Sequence, residues 1–159
     1  MQQTNEKIAL ADLIPLIREV LQRGGEFELH PRGESMRPTI KEGRDTVLLS
    51  SLTRPPVRND LLLYRRDNGT YVLHRVVRVE KDGTLSLRGD NQYFIERGIR
   101  PDQVIATVKR YYRGKHERRT DSLRVRIYCA FRTATYPIRR VFHALGRRIK
   151  RIFGGTAHG

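Results

Sequence analysis

The sequence predicts a mainly β domain of the α+β kind with a helix at either end, and three observations lead to that class. Short aliphatic, β-branched and aromatic runs recur from Phe27 to Arg110; Asn68-Gly69 and Asp82-Gly83 punctuate them as hairpin turns; apolar residues at helical spacing precede and follow them. At 159 residues the chain has the length of one domain with short appendages, and its 38% hydrophobic fraction is arranged periodically enough to build a core.

In chain order, Leu13, Leu16, Ile17, Val20 and Leu21 predict a helix over 13–23, with Asp12 as N-cap, Pro15 in the first turn and Gly24-Gly25 as its stop. Strands follow over 27–30, 46–49, 61–65, 71–79, 85–88 and 104–110. Read as two-residue type I′ turns, Asn68-Gly69 places Arg66 opposite Tyr71 and Leu63 opposite His74. Asp82-Gly83 likewise places Lys81 opposite Thr84, Arg75 opposite Asp90 and His74 opposite Asn91. Residues 110–121, RYYRGKHERRTD, read as a polar basic connector. Beyond it, Pro137 opens a basic amphipathic helix that Gly154-Gly155 closes. Ile138, Val141, Phe142, Leu145, Ile149 and Ile152 form its apolar stripe, and Arg139, Arg140, Arg147, Arg148 and Arg151 lie off it. The expected organisation is an N-terminal helix in 1–26, a β domain in 27–112 and a basic connector and helix in 113–159.

Charge is concentrated at one end. Residues 109–159 hold fifteen Lys and Arg against two acids, a net +13 of the chain's +15, which leaves +2 for residues 1–108. The single cysteine, Cys129, excludes an internal disulfide and a cysteine-rich zinc site, and the five histidines are scattered, so neither metal nor cofactor is expected. The N-terminus has acids within its apolar stretch and does not read as a signal peptide, and no run approaches the ~18 apolar residues of a membrane span. The expected location is the cytoplasm or the inner membrane face.

Three residue types could carry chemistry. Ser35 lies in "PRGESMRPTI"; His74 lies mid-strand, sharing a face with Val72 and Val76; acids follow on the next segment. Singly, Ser35 is an ordinary turn serine, His74 an ordinary core histidine and Asp90 a cross-strand partner for Arg75. Together they are the parts needed to deprotonate a hydroxyl, orient an imidazole and stabilise its cation.

The ordered segments "GESMRPTIKEGRDTVLL", "RNDLLLYRR", "YVLHRVVRV" and "LRGDNQ" resemble the signal peptidase I and SOS-repressor (LexA-like) superfamily of serine peptidases over roughly residues 27–110. Histidine at position 74 is similar to the Ser-His branch of that superfamily. The resemblance implies Ser35 as nucleophile, His74 as general base, and Glu96, followed by Arg97, at the position of the branch's aspartate. The orienting role lies between Glu96 and Asp90, with the register favouring Asp90 on Arg75 and Glu96 near His74. Met36, Arg75 and Asn91 are expected beside the site. Gly33 brings no hydroxyl to an oxyanion hole, so backbone N–H groups near Ser35 would form it. The implied activity is serine endopeptidase on a peptide or precursor protein, without a transmembrane anchor, with the C-terminal arginines on an anionic membrane surface.

Three rival readings follow from the same residues, the first being a non-catalytic family member, its acid altered at Glu96, that acts as a basic nucleic-acid- or membrane-binding module. A nucleic-acid-binding module fits the arginines interleaved with Tyr111, Tyr112, Tyr128, Phe131 and Tyr136, although the apolar stripe in 138–152 asks for burial. A self-cleaving repressor needs a DNA-binding domain, and only about 26 residues precede the first predicted strand.

Overall fold

The computed structural model describes residues 9–120 and 122–136, which divide after Ser122 into two compact units. In the first, α1 (Leu10–Gln22) precedes β1 (Phe27–Leu29), β2 (Asp45–Ser50), β3 (Leu61–Arg65), β4 (Tyr71–Val79), β5 (Leu85–Arg88), β6 (Glu96–Ile99), a 3-10 turn at Pro101–Gln103, β7 (Val104–Arg113) and β8 (His116–Arg119). All strand pairs are antiparallel. The order along the sheet is β1-β2-β7-β3-β4-β5-β6, with β8 pairing β7 off that path. The second unit contributes α2 (Leu123–Ala134). The fold class is therefore mainly antiparallel β with two helices.

β3 explains how one sheet supports two cores. Four consecutive residues, Leu61 to Tyr64, are fully buried, because successive side chains point to opposite faces and both faces are covered. Leu61 and Leu63 join a cluster with Ile17, Met36, Ile40 and Val47. Leu62 and Tyr64 join a second cluster with Val76, Leu85, Leu87 and Ile99. The first face carries α1 and the Ser35 loop; the second carries His74.

Several expectations are corrected. α1 begins at Leu10 rather than at 13, with Ala9 as N-cap, because Leu10 and Leu13 both pack against the first cluster and extend the buried stripe by a turn. Pro15 consequently lies inside the helix, where it forgoes one hydrogen bond. Both hairpins close with three-residue loops instead of two. Arg66 N donates to Thr70 O (2.8 Å) around Asp67-Asn68-Gly69, and Glu80 N donates to Thr84 O (2.8 Å) around Lys81-Asp82-Gly83. Each glycine takes the left-handed conformation, φ +85° at Gly69 and +81° at Gly83, that ends such a loop. The register therefore slips by one: Leu62, not Leu63, stands opposite His74, and Arg65 opposite Tyr71. An irregularity between Val76 and Arg78 shifts the next pair further, so that Arg88 rather than Asp90 stands opposite Arg75.

The expected connector continues the sheet instead. Tyr111 to Arg113 extend β7, and His116 to Arg119 return as β8, with Tyr112 Oη donating to Glu117 across the pair (3.0 Å). β6, over Glu96–Ile99, was absent from the expected strands because only Ile99 of its four residues is buried. The amphipathic helix expected over 137–153, with Arg139, Arg140, Arg147, Arg148 and Arg151, lies outside the described residues. Among those described, no helix is long and apolar enough to cross a membrane.

Candidate active site

The loop between β1 and β2 carries Ser35, and several polar contacts tie it down. Gly33 N donates to the Glu42 carboxylate (2.8 Å), and Arg113 Nη2 donates to Thr39 O (2.9 Å). The buried Asp45 carboxylate accepts from Lys41 N (3.0 Å) and Arg44 Nε (2.7 Å). Met36 and Ile40 insert into the first core cluster. Ser35 is left half-buried at a cleft of about 480 Å³, walled by apolar residues that include Leu10, Leu13, Leu29, Leu63 and Tyr71.

The loop docks on the segment after β5. Asn91 N donates to Ser35 O (2.7 Å), and Asn91 Nδ2 donates to Glu34 O (3.2 Å). A Cβ at Gly89 would stand 2.6 Å from Ser35 O, so the approach requires glycine there. Between them, Asp90 accepts from Arg75 through both oxygens, from Nε and Nη2 at 2.9 Å each, in a buried ion pair. The segment thus holds the Ser35 backbone on one side and, on the other, the side chain next in sequence to His74.

His74 is 1% exposed. Its Nδ1 lies 3.1 Å from Tyr64 Oη and 3.2 Å from Glu96 Oε1. Tyr64 Oη donates to Glu96 Oε2 (2.7 Å), and Arg66 grips the same carboxylate through Nε (2.8 Å) and Nη2. Burial pushes the imidazole pKa down to about 4, the draw of the Glu96 carboxylate notwithstanding. Burial also acts to raise the Glu96 carboxyl, but hydrogen bonds from Arg66 and Tyr64 outweigh it and hold the group below the ordinary carboxylate range. Burial and the bond to Glu96 push the Tyr64 phenol well up. At neutral pH the set is therefore a neutral imidazole, a neutral phenol and an ionised carboxylate paired with a guanidinium.

Of the residues singled out from sequence, Glu96 reaches His74, Asp90 holds Arg75, Asn91 holds the Ser35 loop and Met36 lies in the core beneath it. Asn91 does not stand opposite His74. Among the described residues no hydrogen bond joins Ser35 Oγ to His74. Tyr64 and Arg66 were missed. The signal for Tyr64 lay in its spacing, two residues beyond Leu62, which puts both on His74's face once the loop length is known. Compared with known proteins, the chain matches no family model and no curated sequence.

Proposed function

We propose that the chain is a serine endopeptidase with a signal-peptidase-like and SOS-repressor-like β domain, in which Ser35 is the nucleophile and His74 the general base. The observation that carries this reading is the buried, neutral His74. Its Nδ1 faces an ionised carboxylate, and its strand is tied through Arg75 and Asp90 to the segment that receives the Ser35 loop. In the reaction, His74 Nε2 takes the proton of Ser35 Oγ as Oγ bonds to the peptide carbonyl carbon. Backbone N–H groups near Ser35 hold the oxyanion. His74 then gives the proton to the leaving amine, and water repeats the sequence to release the acyl group and restore Ser35. Glu96 stabilises the transient imidazolium. Ser35 lines the apolar cleft and the buried His74 does not, so the reaction requires Ser35 Oγ to be carried to His74 Nε2 when substrate is bound.

The test is exposure of the purified protein to a degenerate peptide mixture, with new termini read by mass spectrometry. Cleavage by the wild type that is absent from Ser35→Ala and His74→Ala is expected. Identical peptide profiles in all three proteins contradict the reading.

One observation favours a second reading, a non-catalytic domain that acts through its basic end on a membrane or nucleic acid. In α2, Leu123, Ile127 and Phe131 recur at four-residue spacing and are all more than half exposed, and exposed Arg124 and Arg126 flank that stripe. Uncut peptides together with salt-sensitive sedimentation on anionic vesicles would support it.

A further inference from the structure

The three polar groups behind His74, Tyr64, Glu96 and Arg66, leave little freedom in where their protons sit. Glu96, ionised and gripped by Arg66, can only accept hydrogen bonds. Tyr64 Oη owns a single proton, and at 2.7 Å from Glu96 Oε2 that proton is given to the carboxylate. The contact between Tyr64 Oη and His74 Nδ1, 3.1 Å, then needs its proton from the imidazole. Glu96 Oε1 lies 3.2 Å from the same nitrogen at ion-pair distance, so the hydrogen bond that holds the Nδ1 proton is the one to Tyr64. The neutral ring has one N–H, so that proton sits on Nδ1 and the lone pair on Nε2.

From this we infer that Tyr64 is a positioning residue for the proposed reaction, the link between Glu96 and His74 in a chain Arg66–Glu96–Tyr64–His74. Its hydroxyl passes the orientation set by the carboxylate to the imidazole and fixes the tautomer in which Nε2 is the base. The inference rests on the proposed roles of Ser35 and His74 for its catalytic meaning, while the proton placement stands on the hydrogen-bond geometry and on the neutral ring that burial favours. Tyr64 is suited to this because it is fully buried in the second core cluster: its ring is fixed by packing, and its hydroxyl is shielded from bulk solvent.

Long-range proton–nitrogen correlation spectra of ¹⁵N-histidine-labelled protein at neutral pH read the tautomer directly. The wild type is expected to show a pyrrole-type Nδ1 and a pyridine-type Nε2 at His74, assigned by comparison with His74→Ala. Tyr64→Phe keeps the ring and its packing, so a purely structural tyrosine would leave both nitrogens and the rate of Ser35 acylation by a fluorophosphonate unchanged. A positioning tyrosine predicts that both signals move toward averaged values and that acylation slows about tenfold or more, as expected when a base loses its tautomer. Glu96→Gln frees the Tyr64 proton to turn toward Nδ1, so a pyrrole-type Nε2 should appear there too. A wild-type N–H on Nε2, or His74 signals unmoved in both variants, overturns the inference. A wild type that shows the expected tautomer, loses it in Tyr64→Phe and never labels at Ser35 retains the proton chain and sinks the peptidase reading instead.

Discussion

At His74, burial and a carboxylate pull in opposite directions, and burial prevails: the imidazole stays neutral down to about pH 4 instead of 6.5. Lowering the pH below 6.5 protonates this histidine in the unfolded chain before the folded one, so the native state loses stability across the window from 6.5 to about 4. At about 1.4 kcal/mol per tenfold change in proton affinity, the loss amounts to a few kcal/mol. Glu96, held below its ordinary range, adds a loss of the same sign as pH falls through its own titration. Urea midpoints measured between pH 7.5 and 4.5 should fall steeply for the wild type and more shallowly for His74→Gln; parallel curves contradict the assignment. Ser35, His74, Asp90 and Glu96 were visible in the sequence as chemical types in order. Tyr64 was not, because a tyrosine in a continuous apolar strand looks like core until its cross-strand neighbour is known.

Hairpin geometry decides which side chains meet. One added residue in the loop over Asp67-Asn68-Gly69 flips the face that β3 presents to β4, exchanging Leu63 for Leu62 and Tyr64 on His74's side. Asn68-Gly69 marks the turn in sequence but does not distinguish a two-residue loop from a three-residue loop ending in a left-handed glycine. The strands at 46–49, 61–65, 71–79 and 85–88 were legible because their apolar runs are dense. β6 and β8 were not, since they are short, polar and recruited by neighbours already in place. The segment after β5 makes a prediction of its own. Gly89→Ala sets a methyl group 2.6 Å from Ser35 O, which forces the loop away. It should cost about 1–3 kcal/mol and slow Ser35 acylation on the order of a hundredfold. Gly83→Ala, strained at φ +81° at the tip of the other hairpin, should lower stability and leave acylation intact. Equal acylation in the two variants would deny the docking any part in the site.

Across the molecule, charge and chemistry are separated along the chain. Residues 1–108, nearly balanced at +2, hold the second core, the first core apart from Tyr111, the cleft and the buried proton chain; residues 109–159 carry +13. The basic end is not wholly a tail, since Tyr111 to Arg113 and β8 belong to the sheet, and the arginines of β7 make specific pairs there, Arg110 with Glu117 and Arg113 with Asp45. Alternation in β7 was readable only as far as residue 110, because polar side chains on a solvated strand resemble those of a linker. The central claim is that Ser35 is an activated nucleophile served by His74. Its most direct measurement is the site and rate of covalent modification by a fluorophosphonate, read by peptide mass spectrometry in the wild type and in His74→Ala. The account predicts an adduct on Ser35 in the wild type and its loss, by a hundredfold or more on the scale of general-base catalysis, in His74→Ala. An unmodified Ser35 in folded wild-type protein, or an adduct that forms equally fast without His74, would contradict it.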